Sequence, residues 1–214
     1  MLLLYPASAK GSGKVKRVFQ DSKMRQLFEK IVDFMEENGS VRSEYREVYL
    51  FALQTVVVYA FNIATGIVIG FVMGEVFYCS IFLAAFIILR QEAGGYHASG
   101  WKRCYFLSCG ILILTLLWVK GQFAGQTYIT MILTFISGIG ICLFAPLEDQ
   151  NKPLDKQEKR VIRRKAQIIT AMELIVGTGL LFFDRKAAYA AWSSVIWCGL
   201  SYLAWAVKKY ADKN

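Results

Sequence analysis

The chain has 214 residues, of which 56% are hydrophobic and 19% charged, and its mean hydropathy is +0.39. This apolar content lies above that of soluble domains, which excludes an ordinary soluble enzyme or binding module and predicts an integral membrane protein. The formal net charge of +9 is typical of membrane proteins, whose cytoplasmic loops are enriched in Lys and Arg, and attraction for an acidic partner can be true at the same time. We expect no nucleic acid partner.

The first 47 residues precede the apolar part of the chain. Residues 1–19 start with a short apolar run followed by a basic segment. This run is too short for a secretory signal, so we interpret residues 1–19 as a flexible extension. From Phe19 to Met35, apolar residues recur at steps of three and four between charged residues, which predicts an amphipathic helix lying in the inner headgroup region. Residues 20–214 are predicted to form a single integral membrane domain.

Six apolar runs follow, at residues 48–72, 73–89, 104–119, 123–145, 166–183 and 187–207. A membrane-spanning helix needs about 20 consecutive apolar residues, so the second and third runs are short. We predict an all-α membrane protein with about six transmembrane helices, two of them short, and an N-terminal amphipathic interfacial helix. Four full spans with a re-entrant pair are the alternative.

The positive charges are distributed unevenly between the predicted loops. With six spans and a cytoplasmic N terminus, 22 of the 25 Lys and Arg residues lie on the inner side. Only Lys120, Arg185 and Lys186 lie outside. Because cytoplasmic loops collect Lys and Arg, this asymmetry predicts that both termini and the loop after the second span are cytoplasmic.

Polar side chains occur within the predicted spans, with Gln54 and Asn62 in the first span and Glu173 in the fifth. Polar groups in hydrocarbon are costly, so we expect these side chains to face other helices. Glu173 is interpreted either as a partner in an interhelical hydrogen bond or as a functional carboxylate.

The segment from Arg90 to Cys104, RQEAGGYHASGWKRC, contains the only histidine, His97, and one of five cysteines. The cysteines show neither a C-x-x-C pair nor a cluster with histidine, so we expect no metal site and no cofactor. On the cytoplasmic side Cys104 would stay reduced, as a catalytic thiolate requires. His97 and Cys104 are a candidate pair of base and nucleophile.

The two residues need a bend between them to react. On a straight helix, seven residues would separate His97 and Cys104 by about 10 Å along the axis, which is too far for proton transfer. Gly94, Gly95 and Gly100 permit such a bend, because glycine adopts backbone angles that other residues avoid.

The local charges favour a thiolate at Cys104. This residue would begin the third span, where the positive end of the helix dipole lies. Lys102 and Arg103 add positive charge next to it. The carboxylate that orients the histidine is left open between Glu92 and residues 148–149.

At these positions the sequence resembles the AgrB family, the membrane peptidases of accessory gene regulator quorum-sensing systems. The resemblance is carried by Arg90, residues 94–98 (GGYHA) and Cys104, and extends to residues 145–146 and 151–153. It implies a multi-pass protein of a bacterial cell membrane that removes the C-terminal part of a propeptide, AgrD. It also implies that Cys104 attacks the scissile carbonyl, that His97 serves as base and then acid, and that the thioester on Cys104 closes to a cyclic thiolactone or lactone.

The resemblance further implies an amphipathic substrate with an acidic C-terminal segment, which basic residues near the site would attract. The candidate supporting or substrate-contact residues are Arg90, Glu92, Gly94, Gly95, Lys102, Arg103, Lys152, Lys156, Lys159 and Arg160. The expected partners are an AgrD-like propeptide and membrane lipid, and assembly into a homo-oligomer is left open. Two rival hypotheses are an exporter that moves an amphipathic peptide without cutting it and a non-catalytic membrane scaffold.

Overall fold

The computed structural model describes residues 23–39, 42–94, 101–121, 123–147 and 155–211, and the regular structure within these ranges is helical. The helices are α1 (Lys23–Glu37), a 3-10 helix (Ser43–Tyr45), α2 (Arg46–Met73), α3 (Val76–Ala93), α4 (Trp101–Lys120), α5 (Gln126–Phe144), α6 (Lys156–Leu180) and α7 (Arg185–Ala211). The predicted all-α class is therefore confirmed. The predicted extension at residues 1–19 lies outside the described residues.

Five of these helices, α2, α3, α4, α5 and α7, are long and apolar enough to cross a membrane. Most of the second predicted run lies in α3, an 18-residue helix that continues past the C-terminal end of the run, and the third run lies in α4, a 20-residue helix that is longer than the run at both ends. This length favours full crossing of α3 and α4 over a re-entrant pair.

The fifth predicted span, residues 166–183, lies in α6 for most of its length. Only residues 166–180 of this span are helical, which gives an apolar helix about 22 Å long at 1.5 Å per residue. The preceding residues 156–165 are dominated by charged side chains. Helix α6 nevertheless packs against α3, α5 and α7, so it is part of the helical bundle although its apolar part is shorter than that of its neighbours.

The chain divides into two compact units, residues 1–63 and 64–214. In the first unit, Phe28 and Val32 of α1 are buried together with Leu50 of α2. The Arg46 guanidinium donates a hydrogen bond of 2.7 Å to Asp33, and this bond raises the pKa of Arg46 above its ordinary value. The predicted amphipathic helix thus exists at Lys23–Glu37, while its location in the headgroup region and the single membrane domain at residues 20–214 stay predictions.

Helix α7 lies at the centre of the second unit, in contact with α3, α4, α5 and α6. The first turns of α7 bury a run of small residues, Ala187, Ala188, Ala190, Ala191, Ser193 and Ser194. Small side chains allow helices in a membrane to approach closely. At Gly177 of α6, for example, a Cβ atom would lie only 2.4 Å from Trp192 Nε1.

One end of this bundle is closed by polar contacts between the turn that follows α2 and the turn that precedes α7. The Lys186 ammonium lies 3.1 Å from the buried Glu75 carboxylate. The Tyr78 hydroxyl donates a hydrogen bond of 2.9 Å to Asp184, and Asp184 in turn accepts a bond from the backbone N–H of Lys186 at the start of α7. These contacts lie at the opposite ends of α3 and α7 from Ala93 and Ala211. We call them the Glu75 cluster.

Candidate active site

Cys104 is the fourth residue of α4 and has a half-buried, free thiol. The first four N–H groups of an α-helix have no partner within the helix, and they carry its partial positive charge. The Tyr105 hydroxyl donates a hydrogen bond of 3.1 Å to Thr65 Oγ1 of α2, and the Ser108 hydroxyl donates one of 2.9 Å to the Cys104 carbonyl. The bond to Thr65 connects the N-terminal part of α4 to α2, and the bond to the Cys104 carbonyl lies within α4.

Helix α3 ends at Ala93, on the other side of the segment that contains His97. The Ala93 carbonyl oxygen accepts two hydrogen bonds, from the Leu147 backbone N–H at 3.3 Å and from the Tyr202 hydroxyl at 2.5 Å. Ala93 is fully buried and Tyr202 nearly so. We call Ala93, Gly94, Leu147 and Tyr202 the Ala93 junction. This junction fixes the point at which the chain leaves α3.

Gly94 occupies a conformation in this junction that only glycine adopts without strain. Its φ is +73° and its ψ is −152°, a combination that is disfavoured for residues with a Cβ atom. A Cβ atom at this position would also lie 3.0 Å from the Leu147 carbonyl oxygen. Both observations explain why a glycine is required directly after α3.

The predicted base, His97, lies outside the described residues, as do Gly95 and Lys152. Pairing of His97 with Cys104 therefore stays a prediction. The structure places both ends of the intervening segment, at the Ala93 junction and at the first turn of α4.

Arg90 and Glu92 lie on the last turn of α3 and contact other helices. The Arg90 guanidinium donates a hydrogen bond of 2.5 Å to the Ser201 hydroxyl of α7, so at least one of its N–H groups contacts another helix of the bundle. The Glu92 carboxylate lies 3.9 Å from the ammonium of Lys165 on α6. Glu92 was a candidate for orienting the histidine, and its observed partner among the described residues is a lysine.

The other predicted basic residues lie at two helix N termini. Lys102 and Arg103 are in the first turn of α4, where Arg103 is exposed, and Lys156, Lys159 and Arg160 begin α6, where Lys159 and Arg160 are exposed. The ion pair between Glu92 and Lys165 brings the basic part of α6 next to the end of α3.

Several residues that support this region were not predicted from the sequence. The guanidinium of Arg163 donates hydrogen bonds to the Cys142 and Leu143 carbonyls at 3.3 and 3.0 Å, and the Gln167 amide donates one of 3.0 Å to the Cys142 carbonyl. These side chains cap the C terminus of α5, where carbonyl groups lack partners within the helix. Arg163 and Gln167 lie on α6, well after the end of α5 in the chain, so no local pattern of the sequence indicates this cap, and none indicates Tyr202.

The polar residues inside the spans have different partners. The Ser194 hydroxyl of α7 donates a hydrogen bond of 2.6 Å to the Glu173 carboxylate of α6, which is the interhelical bond expected for this residue. The Asn62 amide instead donates to the Val58 carbonyl of its own helix at 2.7 Å. The side chain of Gln54 lies outside the described part of the structure.

The family model of AgrB, accessory gene regulator B, matches residues 28–203 of the chain. The chain belongs to the AgrB family. The resemblance seen at Arg90, residues 94–98 and Cys104 is therefore confirmed. Together with the five candidate spans, membership identifies this AgrB-family chain as a membrane protein.

Two relatives illustrate how much the sequences differ within the family. They are the putative AgrB-like protein 2 of Clostridium perfringens (strain 13 / Type A) and the putative AgrB-like protein of Clostridium perfringens (strain SM101 / Type A). Each is 24% identical to this chain over 136 residues, which is 60% of the chain and 64% of the relative. The match thus spans less than two thirds of either relative. No solved structure matches the chain.

Proposed function

We propose that this AgrB-family protein is a membrane cysteine endopeptidase that processes an AgrD-like propeptide in agr quorum sensing. The observation that carries the proposal is the position of Cys104, a half-buried free thiol in the first turn of α4, seven residues after the only histidine. Family membership over residues 28–203 supports the role in quorum sensing.

In the proposed reaction, His97 takes the proton of the Cys104 thiol and the thiolate sulfur attacks the scissile carbonyl carbon. The carbon–nitrogen bond then breaks, and His97 delivers its proton to the leaving amine of the C-terminal fragment. The N-terminal fragment remains as a thioester on Cys104. A thiol or hydroxyl within this fragment next attacks the thioester carbonyl, forming the ring and releasing the Cys104 sulfur, which recovers a proton.

Ring closure in this scheme needs no external energy source, because a thioester is exchanged for another thioester or for an ester. Water must be kept from the intermediate while the ring closes. Helix α4 continues from Cys104 into a span that is apolar and reaches Lys120. A thioester at the start of this span would lie against the membrane, where little water competes.

The proposed substrate has an acidic C-terminal segment, and exposed cations at the Cys104 end of the bundle would attract it. Arg103 lies next to Cys104, and Lys159 lies on α6, the helix that the Glu92–Lys165 ion pair holds at the end of α3. Such charges raise the rate of encounter more than the final affinity. We propose that this surface, with both chain termini, faces the cytoplasm.

The test is reconstitution of the purified protein in liposomes with candidate propeptides, followed by mass spectrometry of the products. Cys104→Ala should abolish cleavage, whereas Cys109→Ala should retain it. Cys109 is a matched control because it is a free, half-buried cysteine on the same helix. Transport of the propeptide without a change in mass would favour the exporter hypothesis, and binding without either event would favour a scaffold.

A further inference from the structure

One face of α6 carries a row of large apolar side chains that point away from the bundle. Ile168, Met172 and Ile175 are exposed by 51%, 58% and 71%, and their spacing of four and three residues places them on one side of the helix. Ala166 and Thr170, on the other side, are fully buried. In a membrane protein this apolar row contacts lipid acyl chains.

Two arginines continue the same row toward the N terminus of α6. Arg164 precedes Ile168 by four residues, Arg160 precedes Arg164 by four, and both side chains are exposed. Four residues rise about 6 Å along a helix. The row therefore changes from apolar to cationic within about one turn, as a surface does where hydrocarbon meets headgroups.

The neighbouring cations of α6 have protein partners. Arg163 caps α5 through the Cys142 and Leu143 carbonyls, and Lys165 forms the ion pair with Glu92. Lys159 lies four residues before Arg163 and so shares the side of α6 that faces α5. The basic segment is thus divided between a side directed at the protein and a side directed outward.

We propose that Arg160 and Arg164 bind the phosphate groups of anionic phospholipids in the leaflet at the Cys104 end of the bundle. A guanidinium binds phosphate through two parallel hydrogen bonds, and the acyl chains of the same lipids would lie along Ile168, Met172 and Ile175. This continuity favours a lipid over an acidic peptide as the occupant. Arg160 is thus assigned to lipid, and Lys159 remains the cation of α6 that is proposed to attract the propeptide. The lipid assignment rests on membrane insertion and not on the proposed peptidase activity.

The test measures phosphatidylglycerol binding to the full-length protein by native mass spectrometry, with phosphatidylcholine as the neutral reference lipid. A cation near an anionic membrane surface contributes about fivefold to affinity. Arg160→Gln combined with Arg164→Gln should therefore weaken phosphatidylglycerol binding about twenty-five-fold, and Arg164→Gln alone about fivefold. Lys159→Gln removes one charge from the same segment and should leave lipid binding unchanged.

Two outcomes would overturn the proposal. One is equal loss of phosphatidylglycerol binding in Lys159→Gln and Arg164→Gln, which would indicate a general charge effect. The other is unchanged lipid binding in the double variant together with loss of binding to an acidic peptide.

If the double variant fails to fold, Arg160→Lys combined with Arg164→Lys is measured instead. This pair of substitutions keeps the positive charges but removes the guanidinium groups, which bind phosphate through two parallel hydrogen bonds. That pair should still bind phosphatidylglycerol more weakly than the unsubstituted protein, and equal binding would contradict the proposal.

Discussion

The Tyr202 hydroxyl of α7 donates a hydrogen bond of 2.5 Å to the carbonyl oxygen of Ala93, the last residue of α3. The bond links the central helix to the start of the segment that contains His97. Tyr202→Phe should lower stability by about 1 kcal/mol, because one buried hydrogen bond is lost while the Leu147 bond to the same carbonyl remains. Propeptide cleavage should also slow, because the segment leaves α3 from a less fixed position.

Thermal unfolding and cleavage rates measured on the same preparations check this prediction. Tyr210→Phe is the control, since Tyr210 lies on the same helix but is 72% exposed. It should change neither quantity. An equal effect of the two substitutions on stability and cleavage would contradict a specific role of the Ala93 junction.

A second prediction concerns Gly94. Gly94→Ala should destabilise the protein by about 1–3 kcal/mol, because alanine is strained at this backbone conformation and its Cβ would press on the Leu147 carbonyl. Gly110→Ala, on α4, is the matched control, since no atom lies within 4 Å of a Cβ atom placed there. Thermal unfolding in one detergent compares the two variants, and similar midpoints would contradict the proposed strain of an alanine at position 94.

A third prediction concerns the Glu75 cluster. Glu75→Gln removes the charge that pairs with Lys186 at 3.1 Å and should lower stability by about 2 kcal/mol, because Glu75 is buried and Lys186 would lose its charged partner. Glu158→Gln, at an exposed position of α6, should have little effect. Chemical denaturation of both variants measures the difference, and a Glu75→Gln variant as stable as the Glu158→Gln variant would argue against a stabilising ion pair.

The reactivity of the cysteines gives a fourth prediction. Cys104 should react with iodoacetamide faster than Cys109, because His97 is proposed to accept the proton of the Cys104 thiol. His97→Ala should slow the alkylation of Cys104 and leave that of Cys109 unchanged. Peptide mapping of the labelled protein separates the two sites. Alkylation of Cys104 that is insensitive to His97 would contradict the proposed pair without depending on the choice of propeptide.

Much of the fold followed from hydrophobic run length, because a membrane helix must be long and apolar. An apolar run leaves out the polar residues at the ends of a helix, so the run lengths predicted α3 and α4 to be shorter than they are. It overestimated the apolar helix of α6, since the chain turns after Leu180 although residues 181–183 are apolar.

The candidate site was predicted only in part. Cys104 stood out through its residue type and its distance from His97, and both are local features of the sequence. The contacts of Tyr202 with Ala93 and of Arg90 with Ser201 join residues more than 100 positions apart in the chain, and they depend on how α3 packs against α7. Sequence periodicity cannot indicate such pairings, and for this reason Arg90 was grouped with the substrate-contact residues rather than with the helix contacts.

The role of Cys104 as the nucleophile is tested by the intact mass of the protein after brief incubation with its propeptide and acid quenching. We expect the mass to increase by that of the N-terminal acyl fragment, with the adduct mapped to Cys104, released by hydroxylamine and absent from Cys104→Ala. Cleavage that persists in Cys104→Ala, or an adduct that maps to another cysteine, would contradict it.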